Sequence, residues 1–142
     1  MIRKAKKEDF EQIYKLGENL HENYRQKYNL DELIKEEYFH VVVYEQDEQI
    51  VGFLIYTTVD NSTDIVDIYV EKKYRCQKIA SNLLDQMISV SKPNTIFLLE
   101  VAVDNINAIK LYEKFGFKVI HTRKKYYGQK DAYVMERKMK DE

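Results

Sequence analysis

The chain is poor in the residues that staple or break structure. It holds one cysteine, one proline, four glycines and no tryptophan among 142 residues. A lone Cys76 forms no internal disulfide, so a reducing compartment and a cytoplasmic location are expected. The three histidines, His21, His40 and His121, are too far apart in sequence to read as a zinc site, and no metal is expected. Neither charge sign dominates: 23 basic against 24 acidic residues leave a formal net charge of -1. That balance argues against nucleic acid as a partner, which would call for a basic excess. No apolar run reaches the roughly 20 residues needed to span a bilayer, so no membrane partner is expected. The opening MIRKAKKEDF has no apolar stretch of the kind that marks a signal peptide.

What is present describes a soluble globular chain. The hydrophobic share is 44% and the charged share 33%, enough for both a core and a solvated surface. A single domain spanning residues 1–142 is expected. The twelve tyrosines can supply polar-tipped aromatics around a cleft.

Periodicity yields an ordered set of elements. Ile2–Ala5 alternates as a first strand. Lys7–Tyr24 reads as an amphipathic helix with Phe10, Ile13, Tyr14, Gly17 and Leu20 on one face. Asp31–Glu37 reads as a short second helix capped by Asp31. His40–Glu45 and Gln49–Thr57 form a hairpin, and Ile65–Val70 is the next strand. Ile79 to about Val90 is helical, with Pro93 beyond its end. Thr95–Val101 is apolar enough for a central strand, and Asn105–Phe115 is a helix closed by Gly116. Phe117–Arg123 and Ala132–Met139 are the last strands, with a loop over Lys124–Lys130. The fold class is α/β (α+β): a mixed, mostly antiparallel sheet of six to seven strands with helices on both faces.

Two stretches can carry chemistry. In the first, IVDIYV runs into EKKYRCQKIA and then SNLL, a strand feeding a helix through a tight turn. Backbone N–H groups and the positive end of the helix converge there, which suits phosphate. The plainer reading is an ordinary basic loop, because the turn lacks the glycines that let a backbone approach phosphate. In the second, LLEVAVDNINAIKLYEKFGF, Glu100 ends a strand and is either a surface carboxylate or a general base opening into a cleft. Tyr112 falls on the inner face of the following helix, and by default is a core aromatic. Asn105 is most simply the N-cap of that helix. The cluster Arg123-Lys124-Lys125-Tyr126-Tyr127 is a solvated loop or a lip for a peptide or a cofactor end. Cys76 sits where a helix start would sharpen a thiol, but no base stands near it in sequence.

These two blocks together resemble the GNAT superfamily of acetyl-CoA-dependent N-acetyltransferases, and within it the ribosomal-protein-alanine N-acetyltransferase family. The likeness runs from IRKAKKEDF to YYGQKDAYVMERKM. It implies acetyl-CoA as co-substrate. The strand matching Ile68, Tyr69 and Val70 would bond the pantetheine arm through its backbone, and the turn matching Arg75, Cys76, Gln77, Lys78, Ile79, Ala80 and Ser81 would hold the pyrophosphate. Asn105 and Tyr112 would also contact the cofactor, Glu100 would be the general base and Tyr112 the general acid. Two positions depart from the pattern: Lys78 stands where glycine is expected, and Ala102 where arginine is usual after LEV. The acceptor implied is a protein N-terminus, alanine of a ribosomal protein. The alternatives are a small amine, or a non-catalytic protein that binds acyl-CoA. A monomer and a homodimer are both open.

Overall fold

A computed structural model describes residues 1–124 and 130–139. Seven strands form one sheet: β1 (Ile2–Lys4), β2 (Phe39–Gln46), β3 (Gln49–Val59), β4 (Ser62–Val70), β5 (Ile96–Ala102), β6 (Lys118–Arg123) and β7 (Ala132–Lys138). Their order is β1-β2-β3-β4-β5-β7-β6. The β4–β5 pair is parallel, while β1–β2, β2–β3, β5–β7 and β6–β7 are antiparallel. Five helices accompany them among the described residues: α1 (Phe10–Gly17), α2 (Tyr24–Lys27), α3 (Leu30–Leu33), α4 (Ile79–Ser89) and α5 (Ile106–Lys114). The expected mixed sheet is therefore present, at the upper end of the expected strand count. None of these helices is long and apolar enough to cross a membrane.

The residues group into two compact units. The first comprises Met1–Thr58 and Val66–Val90. Its β2–β3 hairpin turns on Asp47 and Glu48, both left-handed (φ 53° and 63°), as a two-residue hairpin loop requires. β3 is buried on both faces, from Ile50 through Tyr56. On one face Phe53 and Ile55 join Phe39, Val41 and Val43 against Phe10, Ile13 and Tyr14 of α1. Each such side chain contributes about 1.5–3 kcal/mol by leaving water. α4 turns its own apolar stripe, Ile79, Leu83, Leu84 and Met87, inward. Gly52 of β3 makes room for it: a Cβ there would lie 3.1 Å from the Tyr69 carbonyl oxygen and 3.3 Å from Ile79.

The expected single helix over Lys7–Tyr24 is broken. A 3-10 turn at Lys7–Asp9 leads into α1, which stops at Gly17, and α2 starts only at Tyr24. The cause is a side chain that periodicity does not see. The Tyr24 ring lies against Gly17, where a Cβ would come within 2.3 Å of it. The chain must reverse to bring that ring back. The Glu18 carboxylate holds the reversal by accepting the N–H groups of Asn23 and Tyr24. Leu20, expected on the apolar face, is exposed as a result. The cap of α3 is Asn29, accepting from the Glu32 N–H, rather than Asp31.

The second unit comprises Val59–Ile65 and Ser91–Glu142. Parallel β4–β5 pairing runs from Ser62↔Ile96 to Asp64↔Leu98. β5 then pairs along its whole length with β7, from Ile96↔Lys138 to Ala102↔Ala132. α5 closes as the sequence indicated. Gly116 (φ 87°) follows the helix, its N–H bonds the Glu113 carbonyl, and the Phe117 N–H bonds that of Tyr112. This is the Schellman pattern, completed by the Tyr112 and Phe117 rings at 5.8 Å.

Candidate active site

In the first unit, β4 hands over to α4 through the turn that sequence singled out. The Glu71 N–H bonds the Val51 carbonyl of β3. By alternation the N–H groups of Ile68 and Val70 point along the opposite edge of β4. Arg75 folds back over this strand end. Its Nε donates to the Val70 carbonyl at 3.0 Å, and its guanidinium lies 5.3 Å from the Tyr69 ring centre. The side chain is thus spent on shaping the turn.

The turn itself is conformationally unusual. Cys76 (φ 67°) and Lys78 (φ 63°) are both left-handed, although neither is glycine. Lys78 is the residue before α4, and its side chain makes no capping hydrogen bond. The Asn82 N–H reaches the Lys78 carbonyl. The N–H groups of Ile79, Ala80 and Ser81 therefore begin the helix without an intrahelical acceptor. Three donors at the positive end of an eleven-residue helix fit a phosphate group. Lys78 itself is exposed. Gln77 completes the turn between the two left-handed residues.

A second polar feature of this unit escaped sequence reading. Asp67 of β4 accepts a hydrogen bond from the Tyr24 hydroxyl at 2.7 Å, and His21 Nε2 lies 3.2 Å from its other oxygen. Burial together with this carboxylate raises the Tyr24 hydroxyl pKa, and pushes that of Tyr28 up to about 12. The alternating pattern of IVDIYV marks Asp67 as odd in an apolar strand. Nothing in the sequence pairs it with residues some 40 positions away.

In the second unit, β5 buries Phe97, Leu99 and Val101 on one face and presents Glu100 on the other. Glu100 is exposed, and its carboxylate forms an ion pair with Arg123 of β6, Oε2 to Nη1 at 3.2 Å. Asn105 is the N-cap of α5, its Oδ1 accepting the Ala108 N–H at 3.3 Å. The simple capping role read from sequence is therefore in place. Tyr112 is buried on the inner face of α5 against Phe117. Lys124 pairs with Asp131. The rest of the cluster read as a solvated loop or a lip, Lys125, Tyr126 and Tyr127, lies outside the described residues. Among those described, no three His, Cys, Asp or Glu side chains gather as metal ligands.

A family model described as the acetyltransferase (GNAT) family matches residues 2–117. An N-alpha-acetyltransferase of Saccharolobus solfataricus is 31% identical over 96% of this chain and 91% of its own length. The ribosomal-protein-S18-alanine N-acetyltransferase of Escherichia coli has a similar fold: TM-score 0.85, 23% identity, with 99% and 94% of the two chains covered. Naa50 of Arabidopsis thaliana, solved with the bisubstrate analogue CoA-Ac-MVNAL, superimposes with TM-score 0.76 at 26% identity, covering 96% and 97%.

Proposed function

The chain belongs to the GNAT family of acetyltransferases, and from that premise we propose that it moves the acetyl group of acetyl-CoA onto the N-terminal α-amine of a protein. Alanine of a ribosomal protein is the specific acceptor within that reading, and the cytoplasm its location. The observation that carries it is the start of α4, where three backbone N–H donors at the positive helix end suit a pyrophosphate. A relative named for N-alpha acetylation along nearly its whole length supports the choice of acceptor. The family match runs through both compact units, which supports reading residues 1–142 as one domain.

The chemistry favours the same acceptor. An amine attacks only as its free base. An α-amine, with a pKa of about 7.7–8.0, gives up its proton far more readily than a lysine at about 10.4. Its nitrogen attacks the thioester carbonyl, forming the C–N bond and then breaking C–S. Glu100 takes the proton released by nitrogen, directly or through water. Tyr112 protonates the departing thiolate, and the Val70 N–H steadies the oxyanion that forms between. The backbone of Ile68, Tyr69 and Val70 would bond the pantetheine arm, the turn Arg75–Ser81 the pyrophosphate, and Asn105 would add a further contact. The products are an acetylated amine and free CoA. The second reading, a small-amine acceptor, keeps the same residues in the same roles. It is separated by setting an alanine-initial peptide against a panel of polyamines, aminoglycosides and amino acids.

The test joins binding to turnover. Calorimetric titration should show micromolar affinity for acetyl-CoA. Glu100→Gln and Tyr112→Phe should each lower turnover, by about 100-fold or more for the base, with affinity nearly unchanged. Wild-type turnover in both variants would remove these role assignments. Binding without turnover of any acceptor would favour a non-catalytic acyl-CoA-binding protein.

A further inference from the structure

We propose that the groove between the end of α5, the start of β6 and the end of β7 is a docking site for an extended acidic peptide of a partner protein, one whose carboxylates alternate with apolar side chains. Such docking is separate from acetyl transfer and needs none of the residues given roles in it.

Charge singles out this groove within the second unit. It encloses about 980 Å3. Four cations line it, Lys114, Lys118, Arg137 and Lys138, beside one carboxylate, Glu136. The whole chain, by contrast, has a net charge of -1. Glu136 lies 3.9 Å from the Lys138 ammonium, which leaves the other cations unanswered. Lys114 and Lys118 are exposed and pair with no acidic side chain among the described residues. Arg137 is held by packing instead of by a counter-ion. Its Nε donates to the Phe115 carbonyl at 2.6 Å, and its guanidinium lies 5.7 Å from the Phe97 ring centre. Its Nη1 is buried with no hydrogen-bond partner. A guanidinium fixed beforehand loses little freedom on meeting a carboxylate.

The lining is not purely ionic. Ile120 is the residue skipped where the β6–β7 register jumps from Val119↔Met135 to His121↔Val134. As the extra residue of a bulge it opposes nothing in β7, and 53% of it meets water. Phe115, Met139 and Pro93 lie along the same groove. Inorganic phosphate or a nucleic-acid backbone would answer the cations and leave these side chains wet. A peptide carrying both carboxylates and apolar groups complements the charge and also covers them. Position sets the groove apart from the chemistry. Arg137 and Lys138 oppose Phe97 and Ile96 at the start of β5, whereas Glu100 opposes Val134. Phe97 and Glu100 are about 10 Å apart along the strand.

The experiment follows the fluorescence anisotropy of a short labelled peptide of alternating glutamate and leucine titrated with the full chain. A glutamate–serine peptide and a single-stranded RNA are run beside it. The glutamate–leucine peptide should bind, and more tightly than glutamate–serine. Lys114→Glu/Lys118→Glu should weaken it roughly tenfold or more, by setting like charges against each other. Ile120→Ser should reduce the preference for leucine over serine. Lys15→Glu/Lys35→Glu makes the same change in net charge on exposed lysines of the first unit, and should leave the affinity near wild type. Circular dichroism should show wild-type melting midpoints for all of these variants, and KM for acetyl-CoA should be unchanged. If Lys114→Glu/Lys118→Glu does not fold, Lys114→Gln/Lys118→Gln takes its place and should show a smaller loss in the same direction. No binding of the glutamate–leucine peptide, undiminished binding by the groove variants, or an equal loss in Lys15→Glu/Lys35→Glu overturns the docking site. Tighter binding of the RNA than of the peptide, abolished by the groove variants, overturns it too and makes the groove a nucleic-acid site.

Discussion

Replacing Lys78 by glycine removes a Cβ from a left-handed position, and the structure sets the size of the effect. Lys78 sits at φ 63° and ψ 21° immediately before α4, with no side-chain capping bond to lose. A residue with a Cβ gives up about 1–2 kcal/mol in that region. Glycine returns this but enlarges the freedom of the unfolded chain, at about 0.4–1 kcal/mol. The net gain is about 0.5–1 kcal/mol. With an unfolding entropy of about 2.1 cal/mol/K per residue, a chain of 142 residues should melt about 2–3 °C higher. Lys78→Ala is the control. It removes the same ammonium but keeps the Cβ, and should bring no such rise. Circular dichroism melts of the three proteins at matched concentration decide the matter. A Lys78→Gly midpoint at or below wild type, or an equal rise in Lys78→Ala, would refute the strain argument. The same proteins titrated with acetyl-CoA test the turn's role. Binding by Lys78→Gly but not by wild type would mean that the lysine closes the site.

Two further predictions concern the first unit. Gly17→Ala would drive a Cβ to within 2.3 Å of the fully buried Tyr24 ring, whose hydroxyl is held by Asp67, so the ring has little room to yield. A loss of about 1–3 kcal/mol in chemical denaturation is expected, and a neutral outcome would mean that the α1–α2 reversal is soft. Asp9 accepts both arms of the Arg3 guanidinium, at 2.7 and 3.0 Å, and the Lys6 N–H. The Arg3 hydrogen bonds hold its carboxyl below the ordinary carboxylate range despite burial. The native value being the lower one, the stabilisation is complete above about pH 4 and fades as pH falls through the native value. Asp9→Asn should therefore cost about 1–3 kcal/mol at pH 7, and the gap to wild type should narrow as the solution is acidified below pH 4. A gap independent of pH would show that the charge is not what matters.

Local order determined much of this protein. The LEV strand, the Asn105 cap, the 106–114 helix and the Gly116 closure were legible because each depends on residues within a few positions of one another. The turn before α4 was legible as a strand feeding a helix, while the left-handed backbone at Lys78 came only from the structure. The helix expected over 7–24 failed for the opposite reason. An apolar period of 3.6 continues through Leu20, but the decisive contact is Tyr24 folding back on Gly17, which periodicity cannot register. Asp67, gathering His21 and Tyr24 from more than 40 positions away, was likewise invisible. The last case is Arg123. The sequence by itself determined a strand, a basic residue and a glutamate; only the tertiary structure decided that they meet. A single extra residue at Ile120 chooses which face of β6 looks toward Glu100, because a register shift of one residue exchanges the faces of everything after it.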